Sequence, residues 1–337
     1  MKQKIPAQSE STAPRAMLAT VARSEAAHVG YYVRGFPSNV LRSLLALGRG
    51  LVASRNLILY LAPAALLTLV FFVFPLVFIL YMSLQEWAGL GPSTFIGMKN
   101  YEFLWQDDVF HTALANTLSW VFVGIFIHTP LCVLVALILA RQPFMWKFFR
   151  TVFFFPNVIS TTAIAFLWYF VFHVDLGLIN NVLKAVGLSG WTRPWLSDPQ
   201  TALPSIETPF IIYIGFGMVL FLTAISTIPR EYYEAAKLDG ASDWQQDWHI
   251  TLPLIRRTIA LQCLFVVGYC LKMFEYPFIM TSGGPANTTM NLSLYIYRKM
   301  LAANVYGLSM AAGVVTLLVG LVLLAVVFIV LRRFEKE

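Results

Sequence analysis

The chain has 337 residues, of which 58% are hydrophobic and only 12% are charged. Soluble globular domains carry about 25% charged residues, so this composition excludes an ordinary soluble fold and indicates a protein of the lipid bilayer. The net charge of +7 is divided among short segments and forms no single basic face, which argues against a nucleic-acid partner.

Residues 1–56 are predicted to form an N-terminal tail without a membrane span. They contain prolines, many small residues and scattered arginines. We expect no signal peptide, because no apolar run is followed by a small-residue cleavage site. One interpretation is a flexible tail, and the other is an amphipathic segment near Val40–Leu51 that lies on the membrane surface.

Residues 57–331 are predicted to form an all-α membrane domain with six transmembrane helices. From Asn56 to Gln85 the chain carries no charged residue, and this run exceeds the roughly 20 residues that cross the hydrocarbon layer. We predict a short C-terminal tail at 332–337. The six helices are predicted at 57–81, 113–140, 151–172, 208–228, 258–280 and 306–331.

The longest loop between predicted spans, residues 173–204, contains a predicted short helix. Apolar residues recur at helical spacing from Ile179 to Val186, and Gly187 follows as a stop. Such a helix would lie at the membrane interface. It could shape the outer mouth of a pathway or touch a soluble partner, or it could only pack against the bilayer, and both readings stay open.

The distribution of cationic residues predicts the orientation of the chain. Most of the 24 Lys and Arg residues fall in the two tails and in loops 141–150 and 229–257. Cytoplasmic loops carry an excess of Lys and Arg, so both termini and these two loops are predicted to be cytoplasmic. The cationic residues of the predicted external loops are Lys99, Lys184, Arg193, Arg298 and Lys299.

A polar loop between predicted helices four and five has a distinctive pattern, EAAKLDGASDWQQDWHITLP. Pro229 suits the first turn of a helix, because that position needs no partner for an N–H. Gly240 is a natural helix stop. Asp243 can cap a second short helix that Pro253 ends. The loop is therefore predicted to form two short helices joined by a tight turn.

This loop resembles the EAA motif of permease subunits in binding-protein-dependent ABC importers, of the carbohydrate type. Glu234-Ala235-Ala236 is followed after three residues by Gly240, and after nine more by Ile250, one residue, and Leu252-Pro253. Three external segments, FIGMKNYEFLW, DLGLINNVLKAVGL and TSGGPANTT, also resemble this family. The chain is similar in these features to the maltose and glycerol-3-phosphate permease subunits.

The resemblance implies that the loop carries a coupling helix, which binds a groove on a separate cytoplasmic ATPase. It also implies a second homologous permease subunit, an ATPase dimer, and an extracytoplasmic solute-binding protein, in the cytoplasmic membrane of a bacterium or archaeon. The substrate would be a sugar or polyol. ATP and Mg²⁺ would be bound by the ATPase, so no cofactor is expected in this chain. The implied coupling residues are Glu234, Ala235, Ala236, Asp239, Gly240, Leu252 and Pro253.

The sequence shows no catalytic or metal-binding constellation, so we expect this chain not to be an enzyme. It has no GxxxxGK[ST] loop to hold ATP phosphates. The five histidines are dispersed, and His128 in predicted helix two is expected to donate a hydrogen bond between helices. Cys132, Cys263 and Cys270 lie in apolar segments without paired spacing, which is typical of small core residues.

Predicted helix five contains the candidate substrate contacts. Lys272 and Glu275 are the only charged residues predicted to lie well inside a span; because they are three apart, they can pair on one helical face, which Tyr269 joins. A substrate site and a structural ion pair both fit this pattern. The resemblance implies contacts from the middle of helices four and five. The candidates are Tyr213, Tyr269, Lys272, Met273 and Glu275.

Two other classes of function are weaker alternatives. A secondary transporter needs ionisable relay groups and often has inverted repeats. Only Lys272 and Glu275 could serve as the relay, and no internal repeat is visible. A membrane scaffold without transport would tolerate the loss of Lys272 or Tyr269.

Overall fold

The computed structural model describes the backbone of residues 55–334 and the side chains of residues 60–330. The two predicted tails, including Val40–Leu51, lie outside the described residues or at their margin. The described chain is almost entirely helical, as predicted. It forms five helices long and apolar enough to cross a membrane, and a sixth span if one bent pair is counted as one.

The chain divides into two compact units, residues 1–75 and 76–337. In the described part of the first, α1 (Arg55–Thr68) is followed by a π-helical turn, Leu69–Val73. The next helix, α2 (Phe74–Met82), completes the candidate span Tyr60–Met82. This span confirms predicted helix one.

After the rest of α2, the second unit has a small hairpin before its first long helical run. Strands β1 (Gln85–Glu86) and β2 (Thr94–Phe95) pair antiparallel. The helices that follow are α3 (Lys99–Gln106), α4 (Asp108–Val123), a π-helical turn (Gly124–His128) and α5 (Thr129–Ala140). The span Asp108–Ala140 begins five residues before predicted helix two. Asp107 explains the early start, because its carboxylate accepts hydrogen bonds from the first free N–H groups of α4.

Predicted helix three is wrong as a straight span. The structure has α6 (Trp146–Phe154), a 3₁₀ turn (Phe155–Val158) and α7 (Thr161–Val171), with a bend of 102° between the two parts. Pro156 lies in the turn, and a proline ring is incompatible with an uninterrupted helix. Ser160 then caps α7 by accepting a hydrogen bond from the Ala163 N–H.

The loop 173–204, which is predicted to be external and is called the external segment below, contains the predicted short helix as α8 (Leu178–Ala185), and Gly187 follows it with φ +81°. A 3₁₀ turn, Ser189–Trp191, comes next. The buried amide of Asn180 holds this segment together by donating to the Val174 and Arg193 carbonyls and accepting from the Trp195 ring N–H. The external segment is therefore folded on itself through one side chain.

The remaining helices carry the candidate functional loop and the last span. The observed elements are α9 (Ala202–Ile212), α10 (Gly215–Ser226), α11 (Arg230–Leu238), α12 (Asp243–Gln246), a π-helical turn (Asp247–Thr251), α13 (Leu252–Leu271), a π-helical turn (Pro277–Thr281), α14 (Leu292–Tyr297), a π-helical turn (Arg298–Ala302) and α15 (Tyr306–Phe334). Predicted helix six is confirmed as α15. Predicted helix five is displaced, because α13 ends at Leu271.

Three apolar clusters pack the second unit. One, around Met218 and Phe221, lies near the EAA-like loop, where Leu252 packs against it. The middle cluster is built around Trp120 and Ile206. The third joins the start of α4 to α14. These clusters hold the long helices together, and the first helix of the EAA-like loop, α11, contributes no buried residue to them.

Candidate functional site

The first candidate site is the EAA-like loop, whose leading helix is α11. None of the α11 residues is buried, and Leu238 at its end is 90% exposed. Glu231 lies in the first turn and Lys237 in the last, which matches the signs that a helix dipole favours. A helix with no buried face is stabilised little by this chain alone, so its surface is open to a partner.

The stop after α11 is at Gly240, as predicted. Gly240 has φ +80°, and the Gly240 and Ala241 N–H groups donate to the Lys237 and Ala236 carbonyls at 3.1 and 2.9 Å. This is the Schellman arrangement, which favours glycine because other residues strain at positive φ. No other group lies within 4 Å of where a Cβ would stand, so backbone conformation alone calls for glycine.

The second helix starts one residue earlier than predicted. Ser242, not Asp243, is the cap: its extended backbone places Oγ to accept from the Gln245 N–H, and the Ser242 N–H donates to Gln245 Oε1 at 2.8 Å. This reciprocal pair is a capping box. Asp243 is already helical, so it contributes charge to the first turn instead.

Pro253 does not end the second helix, contrary to the prediction. The run Asp243–Leu271 is one candidate span. A π-helical turn precedes Pro253, and the Leu252 N–H donates to the Asp247 carbonyl, five residues back. The wider turn accommodates a residue that has no N–H. The EAA-like loop therefore continues directly into a membrane helix.

A cleft of about 370 Å³ lies between α11 and α12. Three predicted coupling residues line it, Ala236, Asp239 and Gly240. Glu234 and Ala235 are exposed on α11, whereas Leu252 is half-buried. The predicted coupling set therefore divides into an exposed part on the loop and an anchoring part at the start of α13.

The second candidate site is a cavity of about 460 Å³ within the second unit. Tyr213 and Tyr269 line it, as predicted for a pathway. The Tyr213 hydroxyl accepts a hydrogen bond from the Trp168 ring N–H at 2.7 Å, and the Tyr269 ring stacks on Phe210 at 5.6 Å. Its further aromatic and polar lining residues include His128, Phe154, Asn157, Thr161, Phe216, Gln262, Phe265 and Tyr276.

Two helix interruptions meet at this cavity. One is the turn Pro156–Ile159 between α6 and α7, and the other is Tyr213–Ile214 between α9 and α10. A Cβ on Gly215 would stand 2.3 Å from both the Asn157 amide nitrogen and the Phe153 carbonyl, so glycine permits the close contact. Irregular backbone at membrane depth is tolerated where it lines a cavity, and transporters bind solutes at such breaks.

The other predicted pathway residues do not line the cavity. Because α13 ends at Leu271, Lys272 and Glu275 do not share a helical face, and the predicted ion pair between them is absent from the described ion pairs. Lys272 is exposed and Glu275 half-buried. Met273 is only 2% exposed and belongs to the middle apolar cluster.

The sequence interpretation missed several polar residues. Gln262 in α13 is buried and lines the cavity; an amide in the otherwise apolar run IALQCLFVV was the available signal. His128, by contrast, was expected to donate a hydrogen bond between helices; its ring lies 3.4 Å from Cys132 Sγ in the same helical run and stacks on Phe210 of α9. Glu207 is buried in α9 and accepts from Ser119 Oγ at 3.0 Å. It was missed because predicted helix four begins one residue later.

At the end of the Asp108–Ala140 run opposite the EAA-like loop, Asp107 joins α4 to the segment around α14. Its carboxylate accepts from the Tyr295 hydroxyl at 2.7 Å and from Lys299 Nζ at 2.9 Å. Burial acts to raise the pKa of Asp107, but the hydrogen bonds from Lys299 and Tyr295 outweigh it and hold the pKa below its usual value. Burial and the Asp107 carboxylate raise the pKa of Tyr295.

Comparison with known proteins places these features in one family. The family model "Binding-protein-dependent transport system inner membrane component" matches residues 129–336, well over half of the chain. This chain belongs to that family. The resemblance deduced from the EAA-like loop is therefore confirmed, and the protein is a multi-pass membrane permease rather than the ATP-hydrolysing subunit of its transport system.

Individual relatives agree with this assignment. The permease is 36% identical to the "Probable ABC transporter permease protein YurN" of Bacillus subtilis (strain 168), over 79% of this chain and 92% of the relative. It is 35% identical to the "Lactose transport system permease protein LacF" of Rhizobium radiobacter, over 71% and 81%.

A solved structure matches the permease fold. This is a bacterial alginate ABC transporter in complex with its alginate pentasaccharide-bound periplasmic protein, with a TM-score of 0.75 and 27% identity over 86% of this chain and 98% of that chain. The all-α ABC importer permease fold is thereby confirmed.

Proposed function

We propose that this permease forms half of the translocation pathway of an ATP-driven importer for a sugar or related polyol. The observation that carries the proposal is the cavity at the two helix breaks. Its volume of about 460 Å³ falls within the range of small-ligand sites. Aromatic rings pack against the apolar faces of a sugar, while tyrosine, amide and threonine groups bind its hydroxyls.

The relatives support a saccharide as the substrate class. LacF is named for lactose, and the solved relative carries alginate. The exposed rings of Tyr269 and Phe216 and the amides of Asn157 and Gln262 suit hydroxyl-rich solutes in general. They do not select one sugar over another.

Coupling to a separate ATPase is assigned to the EAA-like loop. The exposed helix α11, its glycine stop and the adjoining cleft form a rigid projection that fits a groove on another protein. ATP and Mg²⁺ belong to that ATPase, and this chain needs no cofactor of its own. The coupling contacts are Glu234, Ala235, Ala236, Asp239 and Gly240, and Leu252 and Pro253 anchor the projection to α13.

The complete importer would contain further subunits. We assign it a second homologous permease chain, an ATPase dimer in the cytoplasm and an extracytoplasmic solute-binding protein, with both termini of this chain cytoplasmic. The periplasmic protein seen with the alginate transporter supports the last partner. ATP binding would draw the ATPases together, and the coupling helices would switch the cavity from inward-facing to outward-facing.

The proposal is tested by uptake into proteoliposomes that contain the permease, its partner permease chain, its ATPase and its binding protein. Radiolabelled lactose, an alginate pentasaccharide and glycerol serve as the solutes, and a dipeptide serves as the control. We expect uptake of at least one carbohydrate or polyol that requires ATP and persists when a protonophore abolishes ion gradients. Uptake that the protonophore abolishes would favour a secondary transporter, and uptake of the dipeptide alone would contradict the assigned substrate class.

A further inference from the structure

Arg141 connects two parts of the permease that are far apart in sequence. It directly follows α5, and its guanidinium faces the start of the second loop helix. Nη1 lies 3.4 Å from Asp243 Oδ2, Nη2 donates to the Asp243 carbonyl at 3.1 Å, and Nη2 also forms an ion pair with Asp247. One side chain thus ties the end of a membrane helix to the EAA-like loop.

The contact continues from Asp247 to the exposed helix α11. The Thr251 hydroxyl donates to Asp247 Oδ1 at 3.4 Å, and the Tyr233 hydroxyl lies 3.0 Å from Thr251 Oγ1. Tyr233 belongs to α11 and is half-buried. A chain of four side chains, Tyr233, Thr251, Asp247 and Arg141, therefore joins α11 to the end of α5. We call this chain the Arg141 relay.

The helical run beyond Arg141 reaches the cavity. His128, which lines the cavity, precedes Arg141 by 13 residues on the run Asp108–Ala140, or about 20 Å at 1.5 Å per residue. Asp247 is only 8% exposed, so its carboxylate depends on a paired cation. The Arg141 side chain is 44% exposed, so the pair is partly buried, and a partly buried pair is screened less by salt than a fully exposed one.

We infer that Arg141 is a positioning residue that transmits movement of the coupling helix to the cavity-lining helical run. The inference rests on the proposed function, since it assumes that an ATPase moves α11. The Arg141 relay is thus a second route by which movement of α11 reaches the cavity, in addition to the covalent connection through α13. The Arg141 relay acts on the helical run that contains His128, whereas α13 carries Gln262 and Tyr269, so the two routes reach two different helices of the cavity lining.

The test measures whether the nucleotide bound to the ATPase changes the accessibility of the cavity. In the purified complex with its ATPase, Asn157→Cys serves as a reporter in a Cys263→Ser background, and its modification rate by methanethiosulfonate ethyltrimethylammonium is measured without nucleotide and after trapping with ATP and vanadate. With Arg141 intact, we expect the two rates to differ about tenfold, within the usual range of allosteric coupling. With Arg141→Gln, we expect them to differ less than about twofold, while the ATPase still co-purifies and hydrolyses ATP.

Two further variants separate transmission from folding. Arg141→Gln combined with Asp247→Asn leaves no buried carboxylate without its cation, because the remaining partner, Asp243, has a side chain that is 61% exposed. This double variant is therefore expected to fold. We expect this double variant still to lack the nucleotide effect. Arg150→Gln, in α6, makes the same change of charge nine residues further along the chain and should retain the effect.

Four results would overturn the inference about Arg141. A double variant with the full nucleotide effect would overturn the inference, and so would an intact reporter complex that binds ATPase but shows no nucleotide effect. If no ATPase co-purifies with the intact reporter complex, the proposed function itself fails and takes this inference with it. Loss of the effect in Arg150→Gln as well would show a general response to charge, and would also overturn it.

Discussion

The EAA-like loop and the cavity are built in opposite ways. The loop is polar and exposed, and its shape comes from hydrogen bonds between near neighbours, such as those of Gly240 with Lys237 and of Ser242 with Gln245. The cavity is largely aromatic, and residues from α6, α7, α9, α10 and α13 meet there. The surface proposed to contact the ATPase thus takes most of its shape from nearby residues, with the Arg141 contacts as the long-range exception, whereas the surface proposed to open and close is shared among many helices.

Because the EAA-like loop and the cavity are built differently, mutations in the two regions should have different effects. A change in the loop should weaken contact with the ATPase and leave the cavity intact. A change in the cavity should alter solute handling and leave ATPase binding intact. The predictions below use that contrast and run from the largest expected effect to the smallest.

Gly240→Pro should have the largest effect. Proline holds φ near −65° and has no N–H, so it is incompatible with φ +80° and with the hydrogen bond to Lys237. The conformational cost of about 3 kcal/mol corresponds to roughly a hundredfold loss of ATP-dependent uptake. Co-purification of the ATPase measures the docking step directly, and membrane insertion should be unchanged.

The chain offers a matched control at Gly187. It has φ +81°, its N–H donates to the Lys184 carbonyl at 3.1 Å, and the space around it is open. Gly187→Pro therefore makes the same local change in the external segment. If it releases the ATPase as completely as Gly240→Pro does, the assignment of docking to the EAA-like loop is wrong.

Glu234→Lys should weaken ATPase binding by about tenfold, because it reverses one charge on the exposed face of α11 without breaking the helix. Affinity measured at two salt concentrations checks this, since the loss should shrink as salt screens the charges. Glu102→Lys in α3 makes the same change away from the loop and should leave the affinity intact. An equal loss in both variants would point to net charge rather than docking.

Tyr269→Ala should lower saccharide uptake about tenfold, the equivalent of one aromatic contact of about 1.4 kcal/mol. ATPase co-purification should be unchanged.

Lys272→Gln should change uptake by less than about twofold, because Lys272 is exposed and outside the cavity. A larger effect at Lys272 than at Tyr269 would favour a substrate pathway that passes Lys272 and not the cavity. No effect of either variant would favour a membrane scaffold without transport.

Asp107→Asn should have the smallest effect on transport and a moderate one on stability. Hydrogen bonds to charged groups contribute about 1.5–3 kcal/mol, so the melting temperature should fall by a few degrees at pH 7. The pKa of Asp107 is lowered in the folded state, so its stabilising contribution is present above the unfolded pKa, about 3.9, and is lost as pH falls through the folded pKa.

The measurement for Asp107 is thermal unfolding of the natural chain and the variant from pH 7 down to pH 3. The difference between them should persist to about pH 4 and narrow below it. A difference that stays constant across this range would show that the ionised carboxylate is not what stabilises the contact with Lys299.

Local features were predictable because their causes are local. Gly240 and Gly187 stop helices at the predicted places, and α15 begins at the predicted residue 306. The errors at Ser242 and Pro253 differed in size. The serine cap took precedence over the neighbouring aspartate and moved the helix start by one residue, whereas a π-helical turn accommodated the proline and the helix continued to Leu271. The exact start and end of these helices depend on competition between adjacent residues, which residue spacing alone does not resolve.

The sequence by itself determined that this chain crosses the membrane several times and carries the EAA-like loop, because hydrophobic run length and turn residues act over a few positions. Only the tertiary structure decided which residues line the cavity. Tyr213 and Tyr269 meet there, while Lys272, Met273 and Glu275 do not, because α13 ends at Leu271 and the breaks at Pro156 and Tyr213 set the direction of the helices around it. Side chains converge through packing of distant segments, and no local pattern encodes that convergence.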